Sequence, residues 1–496
     1  MISPQTLIES IKIDAALFKE FNEPHQGGIM NQSTATPEQT LRSLWQEAAM
    51  PPDAFGQVTL TGLDPVLPSS FAVGDAAQSS VAAAALASTV LGHVRAQSLR
   101  SVSVDMREAA LECTGFFSLD GKTPEVWDPI AGLYPCRDGD WVRLHTNFAH
   151  HRDGVLRLLG LPEGPSTRRE TVALALKSWH AFQFEQAAAE AGLVVAAARS
   201  FEQWDAHPHA RFVASQPLIK IEKIGDARPL KWPDLPIDAR PLQGLRMLDL
   251  TRILAGPVCG RTLAHYGAEV MLVNSPGLPN IASIADTSRG KRSTRIDLQD
   301  TQGRETLHRL VQDAHVFIQG YRPGALARLG FDPGSLAKRR PGIVCVSLSA
   351  YGEEGPWAHK RGFDSLVQTA TGFNLAEAQA AGETQPRALP VQILDYATGF
   401  LMAYAAQVAL YRQATEGGSW HVRLSLARTG LWLRSLGRIR NGFDVKKPSV
   451  DTFTEMSESG FGKLVAMRHA AHFSGAPFAT RSFRPSMPPG SHRPEW

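Results

Sequence analysis

The sequence is poor in cysteine and has no pattern that would hold a metal through paired thiols. Cys113, Cys136, Cys259 and Cys345 are scattered through apolar or turn segments and never form a Cys-x-x-Cys pair. This spacing argues against a zinc site and against a disulfide framework. It is typical of a protein in a reducing compartment, and we expect a cytoplasmic location.

Long uncharged apolar runs and blocks of like charge are also missing. No apolar stretch reaches about 18 residues without a charge, and the first residues lack the basic segment and cleavage-like site of a signal peptide. Acids and bases are interspersed, with a net charge of +3, so there is no basic block of the kind that grips nucleic acid. We expect no membrane span and no nucleic-acid partner, and small-molecule chemistry is favoured.

What is present is a chain of 496 residues, long enough for two or three domains with sizeable cores. A proline-rich stretch at residues 227–242 is typical of a linker. We expect five segments: a mobile leader (1–55), a partial repeat of an aspartate-bearing segment (56–125), a smaller mixed domain (126–235), a parallel-sheet domain (236–440) and a C-terminal tail (441–496).

Four short apolar runs between helical stretches predict a parallel sheet. They cover residues 246–250, 269–274, 315–319 and 343–349, and strands spaced in this way need helical crossovers. The predicted fold class is α/β, with an open, Rossmann-like parallel sheet and a smaller mixed α+β domain. Ligands bind such sheets at the carboxyl ends of strands, so chemistry is expected in the loops after these runs.

One carboxylate, Asp395, stands at the start of a long alanine-rich segment. Residues 390–399 read PVQILDYATG, and residues 400–410 continue as FLMAYAAQVAL, apolar almost all round. Such a segment predicts a helix inside the protein, and an acid at the mouth of a buried helix is a candidate site. The alternative is that Asp395 only caps the helix, because the helix dipole and unpaired N–H groups favour a carboxylate there.

A second aspartate, Asp75, opens a similar segment 320 positions earlier. Residues 74–97 read GDAAQSSVAAAALASTVLGHVRAQ, and an alternating SVSVDM follows. At this offset Ala77 aligns with Ala397. We interpret the pattern as an internal repeat of one supersecondary unit. Asp75 is expected to be vestigial because its half of the chain lacks the preceding sheet loops.

The loops after the predicted strands carry cations and an aromatic residue. The second loop contains SRGKRS at residues 288–293, and the third contains GYRPGALARLGF from residue 320. Cations beside sheet ends suit a polyphosphate, and an aromatic beside arginine can hold an adenine and its phosphates. A solvated turn is the alternative for SRGKRS. The first loop has neither a GxGxxG motif nor a P-loop lysine, so a dinucleotide or NTP site has no support.

Histidine groups suggest a metal but lack the other ligands. No carboxylate or cysteine stands at ligand spacing from them, so surface or supporting histidines are favoured and no metal is expected. The residues concerned are His145, His150, His151, His207 and His209.

These motifs, in this order, resemble the family III CoA-transferases of the formyl-CoA transferase and carnitine CoA-transferase type. The matching stretches cover residues 245 to about 433 and read LRMLDLTRILAGP, GAEVMLVN, SRGKRSTRIDL, GYRPGALARLGF, IVCVSLSAYGEEGPW, RGFDSLVQTATG and LDYATGFLMAYAAQVALYRQ. The segment GLYPCRDGDWVRLHTN resembles a part that follows the aspartate-bearing domain in this family. The domain order is therefore rotated here.

The resemblance implies that Asp395 is the nucleophile of a CoA transfer. In the family this aspartate attacks an acyl-CoA, giving a mixed anhydride and then an aspartyl-CoA thioester. The resemblance and the loop chemistry together give the residues expected to bind CoA: Ile253, Ala255, Arg289, Lys291, Arg292, Tyr321, Arg322, Arg328 and Asp364. Family positions that are not matched hold Leu254, Asn274, Ser275, Gln299 and the pair Gln319 and Gly320 here.

The resemblance also implies the partners. CoA is expected to be a substrate, with no separate cofactor, and the reactants are an acyl-CoA and an acceptor carboxylic acid. Family members form interlocked homodimers, so a homodimer is expected. Two other functions are a CoA-thioester-binding protein without catalysis and an alpha-methylacyl-CoA racemase. A racemase needs a histidine as its second proton carrier, and the matching position holds Phe363.

Overall fold

The N-terminal part of the protein consists of helices on short strands. The computed structural model describes residues 35–475 and 483–496. In chain order the first elements are α1 (Pro37–Glu47), β1 (Val58–Thr61), α2 (Val73–Val94), β2 (Val102–Asp105), α3 (Met106–Glu112) and β3 (Phe117–Leu119).

Helix α1 lies in the segment that the sequence predicts to be a mobile leader. Thr36 and Gln39 form a capping box at its start, which satisfies free N–H groups of the first turn. Leu41 and Trp45 on its inner face are buried. The leader prediction is therefore wrong for residues 35–55, because these apolar side chains join the core. Residues 1–34 lie outside the described part of the chain.

The middle of the chain forms a small mixed domain around its own core. Strands β4 and β5 form a hairpin in which they pair antiparallel on either side of the turn at residues 136–140. Tyr134, Val142 and Phe184 lie in a separate apolar cluster. Its elements are β4 (Gly132–Pro135), β5 (Trp141–Leu144), α4 (Ala149–Leu158), α5 (Arg169–Leu176), α6 (Ala181–Glu190) and β6 (Val195–Ala197). The next elements join the main core and the large sheet instead: α7 (Phe201–Asp205), α8 (Pro208–Ser215) and β7 (Lys220–Gly225).

A seven-stranded sheet forms the centre of the molecule, in the order β10-β9-β8-β11-β12-β13-β7. All neighbouring pairs are parallel except β13 and β7. Its elements are β8 (Arg246–Leu250), α9 (Ala255–His265), β9 (Glu269–Asn274), α10 (Ile284–Thr287), β10 (Arg292–Arg295), α11 (Thr301–Asp313), β11 (Val316–Gln319), α12 (Pro333–Arg339), β12 (Val344–Ser349), α13 (Asp364–Ala370), α14 (Phe373–Ala381), α15 (Ile393–Glu416), β13 (Ser419–Ser425) and α16 (Leu426–Ser435).

The C-terminal segment is more than a tail. Strand β15 pairs with β3, and β16 pairs with β2, so this segment completes two small sheets begun by the N-terminal part. The backbone N–H of Gly290 donates to the carbonyl of Arg484, which fixes the last residues beside the large sheet. Its elements are β14 (Thr454–Ser459), β15 (Gly462–Met467) and β16 (Ala471–Phe473).

The predicted repeat is present as a structural repeat. Each copy runs strand, aspartate, long helix, parallel strand and short helix: β1, Asp64, α2, β2 and α3 in the first copy, and β12, Asp364, α15, β13 and α16 in the second. The two long helices pack against each other, and the side-chain amide of Gln407 donates to the carbonyl of Ala84 at 2.9 Å. Small alanine side chains allow this close approach.

Helix α15 is buried along most of its length, as its apolar sequence predicts. By length and composition it could cross a membrane, but its whole apolar window is enclosed by the protein, and core helices pass the same test. Its place between α2, α9 and β13 makes it the central helix of the fold.

Candidate active site

Asp395 lies in the first turn of α15 and leaves its carboxylate without a partner. The side chain is 6 % exposed, and neither carboxylate oxygen accepts a hydrogen bond within the described residues. The helix has no side-chain cap of its own at Gln392. The geometry therefore does not support Asp395 as a helix cap, because its side chain accepts no backbone N–H. Its own backbone N–H donates to Oδ2 of Asp364, at 2.9 Å.

Asp364 and Asp395 form a buried pair of carboxyl groups. Asp364 is fully buried, and the side-chain amide of Gln368 donates to its Oδ1. Burial raises the pKa of Asp364 to about 7. Burial, and then the nearby charge of Asp364, raise the pKa of Asp395 well above its usual range. The hydrogen bonds favour the ionised form of Asp364, so the shared proton is expected on Asp395 in the free protein.

The small domain covers this pair from one side. The imidazole of His145 stacks on Phe363, with ring centres 3.9 Å apart, directly before Asp364. Arg143 is buried, and its charge lowers the pKa of Asp364. Burial lowers the pKa of His145 itself to about 3, so this ring is neutral at physiological pH. Residues from both halves of the chain therefore meet at the carboxyl pair.

The first predicted loop lies within one helical turn of Asp395. A side-chain carbon placed on Gly399 would come within 2.6 Å of the Ala255 carbonyl oxygen, so glycine is what lets α9 and α15 touch here. Ile253 has a φ of 78°, which is strained for a β-branched residue. Backbone strain of this kind clusters at ligand sites. The structure thus places the Ala255 carbonyl beside Gly399, one helical turn from Asp395, and the CoA role of Ile253 and Ala255 stays a prediction.

Three arginines follow neighbouring strands of the large sheet and form a cation patch. Arg252 follows β8, Arg322 follows β11 and Arg361 follows β12. None of the three forms an ion pair with an acid in the described part of the chain. Burial and then the charge of Arg322 lower the pKa of Arg361, so these two cations are close to each other. Unpaired guanidinium groups at the carboxyl ends of parallel strands suit a phosphate.

Other side chains surround this cation patch. The Arg252 guanidinium lies over the ring of Phe148 at 5.5 Å and donates to the Pro279 carbonyl. Arg361 contacts Nε2 of His151 at 3.2 Å. Burial first, and then nearby positive charges, lower the pKa of His151 to about 3. The neutral imidazole accepts a hydrogen bond from Arg361 and brings no negative charge. The positive charges of the arginines therefore stay available to an anion.

Tyr321 and Arg328 lie on the same side of the sheet as Arg322. Tyr321 is half-buried against an apolar cluster that includes Phe317 and Phe331, and its backbone N–H donates to Oε1 of Gln319. Arg328 is exposed on the short turn Ala327–Leu329. Their predicted role in binding the nucleotide end of CoA stays a prediction.

The cations of the SRGKRS segment are not all free, as binding of a polyphosphate would need. Lys291 is fully buried, with Nζ 2.7 Å from Oδ2 of Asp249. Arg289 donates to Asp286 and Glu455. Arg292 begins β10, at the edge of the sheet. Because the charges of Lys291 and Arg289 are already compensated, these contacts do not favour binding of a polyphosphate, and the CoA role of the three residues stays a prediction.

Asp75 has the place of Asp395 in the first repeat but a different environment. Its backbone N–H donates to Oδ2 of Asp64 at 2.9 Å, as that of Asp395 does to Asp364. Its own oxygens, however, accept hydrogen bonds from the hydroxyls of Thr40 and Ser79. Burial raises its pKa to about 6. Helix α1 thus closes the position that is open at Asp395.

Within the described residues, no group of histidine, cysteine and acidic side chains is arranged to hold a metal ion. The four cysteines are free and buried.

The part of the chain that forms this site resembles known proteins. The sequence profile described as "CoA-transferase family III" matches residues 242–442. The match covers less than half of the chain, and over these residues the chain is similar to that family. The matched segment contains Asp395, Asp364 and all three arginines of the cation patch. It also contains every residue that the motifs assigned to the CoA site, so the recognition made from the motifs is confirmed.

Curated relatives carry related names. An acyl-CoA transferase of Gibberella moniliformis is 31% identical over 321 residues, which are 61% of this chain and 56% of the relative. The succinyl-CoA:glutarate CoA-transferase of Mus musculus is 33% identical over 194 residues, which are 36% of this chain and 44% of the relative. The chain spans about half the length of the curated relatives it matches.

A crystal structure of the hypothetical protein Rv3272 of Mycobacterium tuberculosis is similar over part of the chain. Its identity is 31%, its TM-score is 0.37, and the match covers 40% of this chain and 58% of that one.

Several site residues could not be found from sequence motifs. Arg143 and His145 come from the small domain and are more than 200 positions from Asp364 along the chain. Arg252 and Arg361 lie within the recognised stretches LRMLDLTRILAGP and RGFDSLVQTATG but received no role from the sequence. Their places after β8 and β12 are the signal that could have found them. Asp364 was predicted as a CoA contact, which stays a prediction, and the structure places it in the carboxyl pair.

Proposed function

We propose that this protein transfers CoA between an acyl-CoA and a carboxylic acid, with Asp395 as the nucleophile. One observation carries the proposal: the Asp395 carboxylate is buried, has no hydrogen-bond donor within the described residues, and lies in a segment matched to CoA-transferase family III. A carboxylate without donors keeps its lone pairs for attack, and burial removes the water that would otherwise stabilise its charge.

The reaction proceeds through three covalent intermediates on Asp395: two mixed anhydrides and, between them, a CoA thioester. An Asp395 oxygen attacks the thioester carbonyl, and the carbon–sulfur bond breaks. CoA leaves as a thiolate, and the acyl group stays on Asp395 as a mixed anhydride. The thiolate then attacks the Asp395 carbonyl, which releases the first carboxylic acid and leaves an aspartyl-CoA thioester. The acceptor carboxylate attacks that thioester and expels the CoA thiolate, which gives a second mixed anhydride between Asp395 and the acceptor. The thiolate then attacks the acceptor carbonyl of this anhydride, which gives the new acyl-CoA and releases the Asp395 carboxylate. Each step exchanges one acyl bond for another.

The cation patch of Arg252, Arg322 and Arg361 would hold the phosphates of CoA. It lies at the carboxyl ends of strands, where α/β sheets bind ligands. Ile253 directly follows Arg252 of the patch, and the nearby Ala255 carbonyl lies against Gly399, one helical turn from Asp395. CoA bound here would direct its thiol end towards the carboxyl pair. CoA is a substrate in this proposal, and a homodimer in the cytoplasm remains our expectation.

A racemase is the less favoured activity. It needs a second proton carrier at position 363, and the side chain of Phe363 cannot carry a proton. The stacked His145 has a pKa lowered to about 3 by burial, so its conjugate acid donates a proton too readily to balance Asp395 near neutral pH.

The repeat supplies a matched control for the test. Exchange of an isotopically labelled acid into its own CoA thioester measures the first half of the reaction and needs no knowledge of the second acid. Asp395→Asn should lower this exchange by at least about 10³-fold, and Asp75→Asn should leave it within about twofold. Exchange by Asp395→Asn within tenfold of the natural protein would remove Asp395 from the mechanism. A protein that binds CoA thioesters but exchanges none would be a binding protein.

A further inference from the structure

The loop between β12 and α13, residues 351–362, carries one arginine of the cation patch and leads into the carboxyl pair. Arg361 is its last residue but one, and Asp364 begins α13 directly after Phe363. The loop contains three glycines and neither a helix nor a strand, so its backbone alone does not fix Arg361. The contacts that hold this loop therefore determine where Arg361 lies.

His209 on α8 holds the loop through two hydrogen bonds to its backbone. The side chain is fully buried. The Trp357 backbone N–H donates to Nδ1 of His209 at 3.2 Å, and Nε2 lies 2.7 Å from the Tyr351 carbonyl oxygen. Because Nδ1 accepts a hydrogen bond, the ring proton is on Nε2, which donates to Tyr351. One imidazole thus joins two separate points of the loop.

The loop lies closely against this part of α8. Two of its glycines have positive φ angles, 104° at Gly352 and 81° at Gly355. A side-chain carbon on Gly355 would come within 2.9 Å of the Phe212 ring and 3.1 Å of Nδ1 of His209. Glycine is therefore required here both by the backbone angle and by the close approach.

A second contact with the first half of the chain holds the end of the loop next to Arg361. Nζ of Lys360 lies 2.9 Å from Oε1 of Glu185 on α6. Glu185 also forms an ion pair with Arg199, and both side chains are buried. The cations of Lys360 and Arg199 lie over the Trp357 ring, 3.8 and 5.1 Å from its centre. The residue before Arg361 is thereby fixed to α6.

Arg361 is held less firmly than the carboxyl pair. It contacts His151 at 3.2 Å and forms no ion pair with an acid in the described part of the chain. Asp364 lies inside α13, where Gln368 and the Asp395 backbone N–H donate to its carboxylate. A shift of the loop would therefore move Arg361 and leave the carboxyl pair in place.

We propose that His209 is a positioning residue, whose two hydrogen bonds to the 351–362 loop hold Arg361 where it would bind a phosphate of CoA. This inference rests on the proposed function, because it concerns Arg361 as a ligand of CoA. His209 acts through Arg361. Its loss should weaken binding of CoA and change the chemical steps little.

The test measures the affinity of the full chain for coenzyme A by calorimetry. His209→Phe keeps a ring and removes both hydrogen bonds, and it removes no charge because burial lowers the pKa of His209. The Kd should rise about five- to tenfold. His209→Gln keeps a donor for the Tyr351 carbonyl, so its Kd should rise only about two- to threefold. In exchange of labelled acetate into acetyl-CoA, KM should rise by the same factors while kcat changes by less than about twofold.

His315→Phe is the matched control. Nδ1 of His315 accepts a hydrogen bond from the Arg246 backbone N–H at 3.0 Å, at the amino ends of β8 and β11. Burial lowers the pKa of His315 to about 4, so this ring is also neutral. The control should lose stability and keep its Kd for coenzyme A. An equal rise of Kd in both variants would overturn the positioning role.

A double-mutant cycle separates action through Arg361 from general damage. In an Arg361→Gln background, His209→Phe should raise the Kd by less than about twofold, because the group that it positions is already gone. A rise by the same factor in both backgrounds, or an unchanged Kd in His209→Phe alone, would overturn the inference. If His209→Phe does not fold, the same cycle with His209→Gln decides between these outcomes.

Failure of this inference differs from failure of the proposed function. Acid exchange with additive effects of the two substitutions would overturn the role of His209 alone. Binding of coenzyme A without acid exchange would overturn the proposed transfer, and the cycle in Kd would still decide the role of His209. A natural protein that binds no coenzyme A would overturn both.

Discussion

At the scale of single residues, the central feature is a carboxylate with a like-charged neighbour. Asp364 accepts hydrogen bonds from Gln368 and from the Asp395 backbone, whereas the Asp395 carboxylate has no donor in the described part of the chain. Two acids in such close contact resist simultaneous ionisation. The nucleophile therefore becomes available only when the second proton of the pair leaves.

The first prediction concerns pH. Because the pKa of Asp395 is raised, activity should be lost on acidification at a higher pH than for an ordinary aspartate. Asp364→Asn removes the neighbouring charge, so the pKa of Asp395 falls and the acid limb of kcat/KM should move to lower pH. The pH profile of labelled-acid exchange checks this. Asp64→Asn, the equivalent change in the first repeat, is the control and should leave the profile in place; a limb that stays unmoved in Asp364→Asn contradicts the coupling.

A second prediction links the same pair to stability. The carboxyl of Asp364 has an ordinary pKa of 3.8, raised to about 7 in the folded protein. Between these values the folded state binds more protons than the unfolded state, so stability falls as pH rises from about 4 to about 7. Asp395→Asn relieves the repulsion and should raise the melting temperature at pH 8, on the order of 2 °C. At pH 4 the change should be smaller. Calorimetry that finds the variant less stable at pH 8 would refute a strained pair.

At the scale of elements, the positions of the apolar strands were easier to predict from the sequence than the long-range contacts of the residues in the loops and strands beside them. The runs at 246–250 and 269–274 coincide with β8 and β9, and those at 315–319 and 343–349 each begin one residue before β11 and β12. Buried parallel strands are continuous apolar runs, which a sequence displays directly. Strand β10, with the sequence RSTR, lacks such a run, and SRGKRS therefore resembled a loop. The burial of Lys291 depends on Asp249, 42 positions away, and no local pattern shows it.

The loops give a third prediction, about CoA binding. Arg322→Gln and Arg361→Gln should each raise the KM for acyl-CoA about tenfold while kcat changes less, because phosphate contacts persist from ground state to transition state. The KM of the natural protein should also rise with salt. Arg309→Gln, on the exposed side of α11, is the control. If KM is unchanged in both loop variants, CoA binds elsewhere on the protein.

At the scale of the whole molecule, the two halves of the chain complete each other. Helix α2 of the first half packs on α15 of the second, and β16 of the second half pairs with β2 of the first. Arg143 and His145 from the first half lie beside Asp364. The sequence indicated the repeat through its alanine-rich helices, but which parts meet at the site depends on long-range packing that the repeat pattern does not encode.

The fourth prediction follows from this division. Residues 1–238 and 239–496 expressed separately should each lack exchange activity, because each would expose the apolar surface that α2 and α15 bury against one another. Co-expression should restore exchange. Full activity from residues 239–496 alone would make the first half an accessory part and would contradict a site shared between the halves.

The most direct test of the account is the covalent intermediate on Asp395. The protein is incubated with an acyl-CoA in the absence of an acceptor acid, and peptides are analysed by mass spectrometry after treatment with hydroxylamine or borohydride. We expect a CoA thioester on the peptide that contains Asp395, a hydroxamate or reduced residue at that position after treatment, and neither product in Asp395→Asn. Active transfer with no modification of Asp395, or with the modification on Asp75 or Asp364 instead, would contradict it.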